Sequence, residues 1–197
     1  MPRYFIAVIP PAAYSSRIVA FQKTHPENWL VGEVEPHITV KAPNGLSDDL
    51  EWLKPVKRVC GSFYPFTVKI SEPESFGKSV LFLKISSPGI LELHRKLAGL
   101  FDPSPAEILE NFELDYYIPH ISLAIVANGL SEELIDIVRK EANSQFTLPL
   151  EFKANFARIT RIDDRGKYCK FEDIPFKRNN SLKNHRLLSR ERLPAVE

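Results

Sequence analysis

One order of elements occurs twice along this chain, and the repetition limits the folds open to it more than any other feature. From Arg3 to Pro10 the run RYFIAVIP is rich in aromatic and β-branched residues and reads as a strand. Tyr14, Ile18 and Phe21 then fall at i, i+4 and i+7, one stripe of an amphipathic helix over Ala12 to Lys23. A short strand follows from Pro36 to Ala42. Ser47 next stands where it would cap a second helix, with Asp48 and Asp49 in the first turn facing the positive helix end. Leu50, Leu53, Val56 and Val59 carry that helix's stripe, which Pro55 should kink or split. FTVKI, from Phe66 to Ile70, closes the half as a strand.

The second half repeats the series. VLFLKIS, from Val80 to Ser86, is a strand, and Ile90, Leu93, Leu97 and Leu100 mark a helix lying on a sheet. PHISLAIV, from Pro119 to Val126, matches PHITVKAP of the first half, and SEEL, with Ser131 as cap, matches SDDL. Glu132 and Glu133 fill the first turn of this helix, and Leu134, Val138 and Ala142 share one of its faces. A strand from Leu148 to Phe152 closes the half. Phe156 to Arg161 and Tyr168 to Ile174 then form a hairpin about a turn at Asp163, Asp164, Arg165 and Gly166. The fold class expected is α+β and bilobal, two pseudo-symmetric lobes each with an antiparallel-rich sheet and two helices around a central cleft. The short strands bearing the PHIT and PHIS sequences should lie next to each other at its centre. The lobes are intertwined, so residues 1–176 form one domain. Residues 177–197 lose all alternation, and Lys177, Arg178, Lys183, Arg186, Arg190 and Arg192 make them a basic, flexible tail.

Alternation in a strand puts His37 and Thr39 on one face, and likewise His120 and Ser122, with Ile38, Val40, Ile121 and Leu123 turned into the core. Each strand therefore presents an imidazole beside a hydroxyl. Cleavage of a phosphodiester needs a base for the attacking oxygen and an acid for the leaving one, and imidazole does either near neutral pH. Hydroxyls aimed at the non-bridging oxygens stabilise developing charge without a metal. Zinc is the competing reading of paired histidines, but the residue at i+2 is a hydroxyl in both copies and not a second ligand, so no metal is expected. Among the other histidines, His94 beside Arg95 is assigned to a solvated helix face, His25 to a loop and His185 to the tail.

Composition excludes several classes. With 26 Lys and Arg against 25 Asp and Glu there is no global attraction to nucleic acid, so any RNA contact must be local. The apolar run YFIAVIPP is too short to span a bilayer and does not fit a secretory signal, so no membrane association and a cytoplasmic location are expected. Cys60 and Cys169 form no CxxC or Cys/His spacing and read as two reduced, half-buried thiols.

HITV and HISL both satisfy the H-x-[ST]-hydrophobic signature of the two-histidine phosphoesterases, and the sequence resembles that superfamily, which includes the bacterial and archaeal RNA 2′,3′-cyclic phosphodiesterases once called 2′-5′ RNA ligases. RYFIAVIPP is similar to the family's first strand, and FTVKISEPESFGKSVLFLKI to its central strand, glycine-containing loop and strand; the likeness runs from about residue 3 to residue 175. The resemblance implies a water-filled cleft, no cofactor, and as substrate an RNA end or small nucleotide phosphodiester. It makes His37 and His120 catalytic, with Thr39 and Ser122 as phosphate ligands. Lys41, on the face of His37 and Thr39, becomes a further phosphate contact, and Phe76 and Tyr117 become aromatics that stack on a base. Some RNA-processing relatives follow the second motif with glycine and arginine, where Ala124, Ile125 and Val126 stand here; an ADP-ribose-type phosphate or small cyclic nucleotide therefore stays open beside RNA. A monomer that hydrolyses a 2′,3′-cyclic or 2′-5′-type phosphodiester is expected. The alternatives are a non-catalytic nucleotide or RNA binder using the same cleft, and 2′-5′ ligation as the reverse reaction.

Overall fold

Runs of alternating β-branched and aromatic residues form two four-stranded antiparallel sheets, and the amphipathic segments cover them as helices. The computed structural model describes residues 3–25, 28, 30, 32–126, 131–147 and 150–177. In the first sheet β1 (Arg3–Val8) lies between β2 (Ile38–Lys41) and β7 (Phe156–Ile162), and β8 (Tyr168–Pro175) forms the far edge. In the second sheet β4 (Val80–Ser86) lies between β5 (His120–Ile125) and β3 (Phe66–Phe76), and β6 (Leu150–Ala154) forms the far edge. Thus β1 and β2 correspond to β4 and β5, and each histidine motif lies along the open edge of its own sheet. The two edges approach within 8 Å, Cα to Cα.

Helices tie the halves together by crossing between them. Helix α1 (Ala12–Lys23) follows β1 but packs on β5, and α3 (Pro88–Ala98) follows β4 but packs on β2. Helix α2 (Leu53–Cys60) packs on α3 and β8, and α5 (Glu132–Gln145) on β3, β4 and β5. One apolar core accordingly runs through both sheets, taking Ile6, Val8, Ile38 and Val40 from one edge and Leu81, Leu83, Ile121 and Leu123 from the other. Ser131 caps α5 by accepting from the Leu134 N–H at 3.2 Å, as its sequence signal indicates. The β7–β8 hairpin also forms, with Gly166 at φ 79° in a turn held by the Asp163 carboxylate.

Several expectations are corrected. Ser47 caps no helix: its hydroxyl bonds Asp49 Oδ1 at 2.8 Å in a turn, Leu50 has φ 60°, and α2 begins only at Leu53. Pro55 then falls in the first helical turn, where a missing N–H costs nothing, so it neither kinks nor splits the helix. Strand β3 does not end at Ile70 but continues past a bulge to Phe76 and pairs with β4, in the second sheet. A short helix, α4 (Pro105–Glu110), stands in the connection before β5, closed by a capping box between Ser104 and Glu107 that SPAE spells out. The thiols are not alike either: Cys60 is fully buried, and burial pushes it up to about 12, whereas Cys169 is exposed. Leu148, Pro149 and the tail beyond Lys177 lie outside the described residues.

Candidate active site

An edge strand leaves backbone groups unpaired, and covering them without losing access to the side chains beside them is the problem this site solves. The two histidine strands do so in the same way. In β2, Ala7 faces Thr39 and Ile6 faces Lys41, so Val40 is an extra residue; in β5, Phe82 faces Ser122 and Leu81 faces Ala124, so Leu123 is the extra one. Each bulge leaves two successive carbonyls to be satisfied, and side chains associated with the opposite half's helix satisfy them. The Tyr117 hydroxyl donates to Thr39 O at 2.6 Å and His94 Nδ1 bonds Val40 O at 3.0 Å. At the matching places Gln22 Nε2 donates to Ser122 O at 3.2 Å and Asn28 Nδ2 to Leu123 O at 2.7 Å. The two histidine strands are thereby fixed across the cleft by four side chains.

The imidazoles repeat the equivalence. His37 Nδ1 lies 2.8 Å from Glu35 O and His120 Nδ1 lies 2.7 Å from Ile118 O, each anchored to the carbonyl two residues back. A carbonyl only accepts, so Nδ1 carries the proton in both rings and Nε2 is left free to exchange one with a ligand. Both rings are half-buried, and burial is the main cause holding both below the usual histidine range. His120, on the facing edge strand, lowers His37 further. Thr39 and Ser122 are half-buried, and among the described residues their hydroxyls have no protein partner. Glu35 is itself held by Arg158, whose Nη1 bonds both its carboxylate oxygens at 2.6 and 2.8 Å while Nε and Nη2 grip Asp173 at 2.6 and 2.9 Å. Arg158 on β7 therefore steadies the loop that orients His37. Among the described residues no three His, Cys, Asp or Glu side chains converge to hold a metal ion.

His37, Thr39, His120 and Ser122 are thus brought together, and Phe76 joins them, its ring centre 5.3 Å from that of His120 and 4.3 Å from that of Phe82. Lys41 does not join them. The bulge at Val40 breaks the alternation and turns Lys41 inward, where it is fully buried and its ammonium lies 2.9 Å from Glu113, with Asn44 Oδ1 and the Asn44 carbonyl at 2.7 Å. It is a structural cation and no phosphate contact. Tyr117 has one face on His94, with ring centres 3.7 Å apart, and its hydroxyl is committed to Thr39, so at most its other face is left for stacking.

His94 is buried and not on a solvated face. Its Nε2 accepts from the Leu114 N–H at 2.7 Å, so the proton resides on Nδ1 and the ring is neutral. Burial lowers its proton affinity, as it does for His37 and His120. The unfolded chain, with histidines near 6.5, takes up protons that the folded one refuses. Stability should therefore be level above pH 6.5 and fall as the pH drops below it, a fall that urea unfolding at stepped pH will record and that His94→Gln will lessen.

A family model for the 2'-5' RNA ligase superfamily matches residues 10–166. The chain belongs to this superfamily of two-histidine phosphoesterases. Solved structures with the same fold include TT0787 of Thermus thermophilus, 19% identical, covering 88% of this chain and 97% of that one with a TM-score of 0.59. E. coli LigT complexed with 3'-AMP is 17% identical, covering 90% of this chain and 99% of that one, with a TM-score of 0.56. A search of curated protein sequences gives no significant match.

Within the superfamily's frame several residues here carry no signal in the sequence. Gln22 and Asn28 look like ordinary polar or loop residues until the edges they cover are known. Arg158 lies in an alternating strand that names no partner. Phe5 and Tyr168 are legible only as strand residues, yet they line the cavity beside His37, with Phe5 5.0 Å from the His37 ring.

Proposed function

We propose that this protein hydrolyses a 2′,3′-cyclic phosphate on an RNA end or nucleotide, with His37 and His120 as the acid and base and Thr39 and Ser122 holding the phosphate. The observation that carries the reading is the equivalence of the two halves of the site: imidazoles anchored alike through Nδ1 and, two residues on, hydroxyls that have no protein partner among the described residues. Such a pair of Nε2 atoms suits in-line displacement, in which one proton is removed and another supplied on opposite sides of phosphorus. Each assistance is typically worth about 10²- to 10⁴-fold. Hydroxyl donors in a half-buried site stabilise the equatorial oxygens better than water does.

Membership of the superfamily supports phosphodiester chemistry, and E. coli LigT has been crystallised with 3'-AMP. That nucleotide is what remains when the P–O2′ bond of a 2′,3′-cyclic phosphate is opened, which favours the cyclic ester as substrate here. Ligation to a 2′-5′ linkage is the same displacement with a 5′ hydroxyl in place of water and O3′ as the leaving oxygen, the reverse of 2′-5′ bond cleavage, and needs no further residue. The test is incubation of the protein with 2′,3′-cyclic AMP in the presence of EDTA. Accumulation of a single adenosine monophosphate supports the reading; binding without product across the four cyclic nucleotides would leave only a phosphate pocket. Since both imidazoles lie below the usual histidine range, kcat/KM should trace a bell with its maximum below about pH 6.5.

A further inference from the structure

We propose that the acidic and apolar face of the connection from Leu100 to Ile118 is a docking surface for the chain's own basic C-terminal segment, residues 182–193. The inference goes beyond the phosphodiesterase reading and does not depend on it.

Five carboxylates and no lysine or arginine fall between Leu100 and Ile118. Glu113 is spent inside on Lys41, but Asp102, Glu107, Glu110 and Asp115 are exposed and make no ion pair among the described residues. Set among them are Leu100, Leu109, Phe112, Tyr116 and Ile118, each 39–67% exposed. Single exposed apolar residues are ordinary on a protein surface, but five in one connection mark a place where something binds. Phe112, the most exposed at 67%, is also held at φ 51°, a left-handed conformation that a bulky side chain rarely adopts. Four exposed carboxylates repel a phosphate backbone, so this face suits a cationic segment with apolar side chains and not RNA.

The C-terminal segment has that chemistry. Lys183, Arg186, Arg190 and Arg192 are interspersed with Leu182, Leu187, Leu188 and Leu193, and Glu191 is the one acid among residues 182–193. Its point of departure is close by. The Lys177 N–H donates to Phe63 O at 2.6 Å, and the Phe63 ring takes, at 5.0 Å, the ammonium of Lys96 in the last turn of α3, the helix that leads into Leu100. Residues 178–197 span roughly 60 Å when fully extended, so reach does not limit them. A tether of this length gives an effective concentration of about 1 mM, enough to keep a contact with a dissociation constant of about 0.1 mM mostly formed within one molecule. The inward side of the same connection fastens both histidine strands, with Glu113 on Lys41, the Tyr117 hydroxyl on Thr39 O and the Ile118 carbonyl on His120. A segment docked on its outer side therefore covers the piece of chain that holds them.

Paramagnetic broadening in the full chain decides this. A nitroxide is attached at Ser189→Cys in a Cys169→Ser background, Cys60 being buried, and amide spectra of the ¹⁵N-labelled protein are compared before and after reduction of the label. The amides of Leu109, Phe112 and Tyr116 should lose more than half of their intensity, a greater loss than in any other exposed segment. Glu110→Lys combined with Asp115→Lys, which reverses the charge, should return most of that intensity, and so should Phe112→Ser, which removes the most exposed ring. A mixture of ¹⁵N-labelled protein without nitroxide and nitroxide-bearing protein without ¹⁵N should show no broadening there. Broadening in the mixture would give the face to a second copy of the chain. Its absence from the singly labelled chain would leave the face to another basic partner, and unchanged broadening in both variants would put the contact elsewhere. Any of these three results overturns the assignment.

Discussion

Replacement of His37 or His120 by alanine, one at a time, is expected to lower kcat on 2′,3′-cyclic AMP by about 10²- to 10⁴-fold each. KM should change little, because Thr39 and Ser122 still hold the phosphate; an interaction made only in the transition state has been lost. The double variant should fall little below the worse single one, since acid and base act in one displacement and neither is of full use alone. Steady-state rates of the three variants at the wild-type optimum check this. Retention of near-normal turnover in either single variant would contradict the paired mechanism.

The second large effect is on stability. Glu113→Ala is expected to cost about 3–5 kcal/mol, because it leaves the Lys41 ammonium buried with only neutral acceptors around it. The pair is nearly sealed, with side chains 0% and 1% exposed, and the same carboxylate also accepts from the Ala42 N–H at 3.2 Å and Asn44 Nδ2 at 3.2 Å. Removing both charges in Lys41→Met with Glu113→Leu should recover most of the loss, since an apolar pair of similar volume needs no desolvation. Urea midpoints of the single and double variants decide it. A shift below about 1 kcal/mol for Glu113→Ala would mean that the pair is solvated in a way the geometry does not allow.

The repeat makes the candidate site legible. Alternation alone assigns His37 to the face of Thr39 and His120 to that of Ser122, and the match of PHIT to PHIS points to two equivalent strands, as the fold has them. Alternation fails one step later, at Lys41, because a bulge is set by pairing across strands and leaves no mark in a single strand's pattern. In the second copy the same position is Ala124, where the error would have been silent. His94 is misplaced for a different reason. It sits four residues after Ile90 on the buried stripe of α3, with Leu93 and Leu97, so the helical period itself puts it inside. Polarity argues the other way, and the two backbone partners that make the burial tolerable come from segments 54 and 20 residues away. Ser47 shows the opposite error. SDDL has a helix-start composition, but Asp49 satisfies the same groups in a turn, and local side-chain bonds of this kind compete with helix formation. What no pattern in one chain conveys is which helix covers which edge, and the four side chains that brace the two histidine strands depend wholly on that exchange.

Whether two imidazoles address one phosphate is read most directly from ¹⁵N-edited spectra of the histidine rings during titration with 3′-AMP. The Nε2 resonances of His37 and His120 should move along one saturation curve with a common dissociation constant, and both should titrate at higher pH once the dianion is bound. Movement of one ring alone, or two curves with different constants, would contradict a shared site.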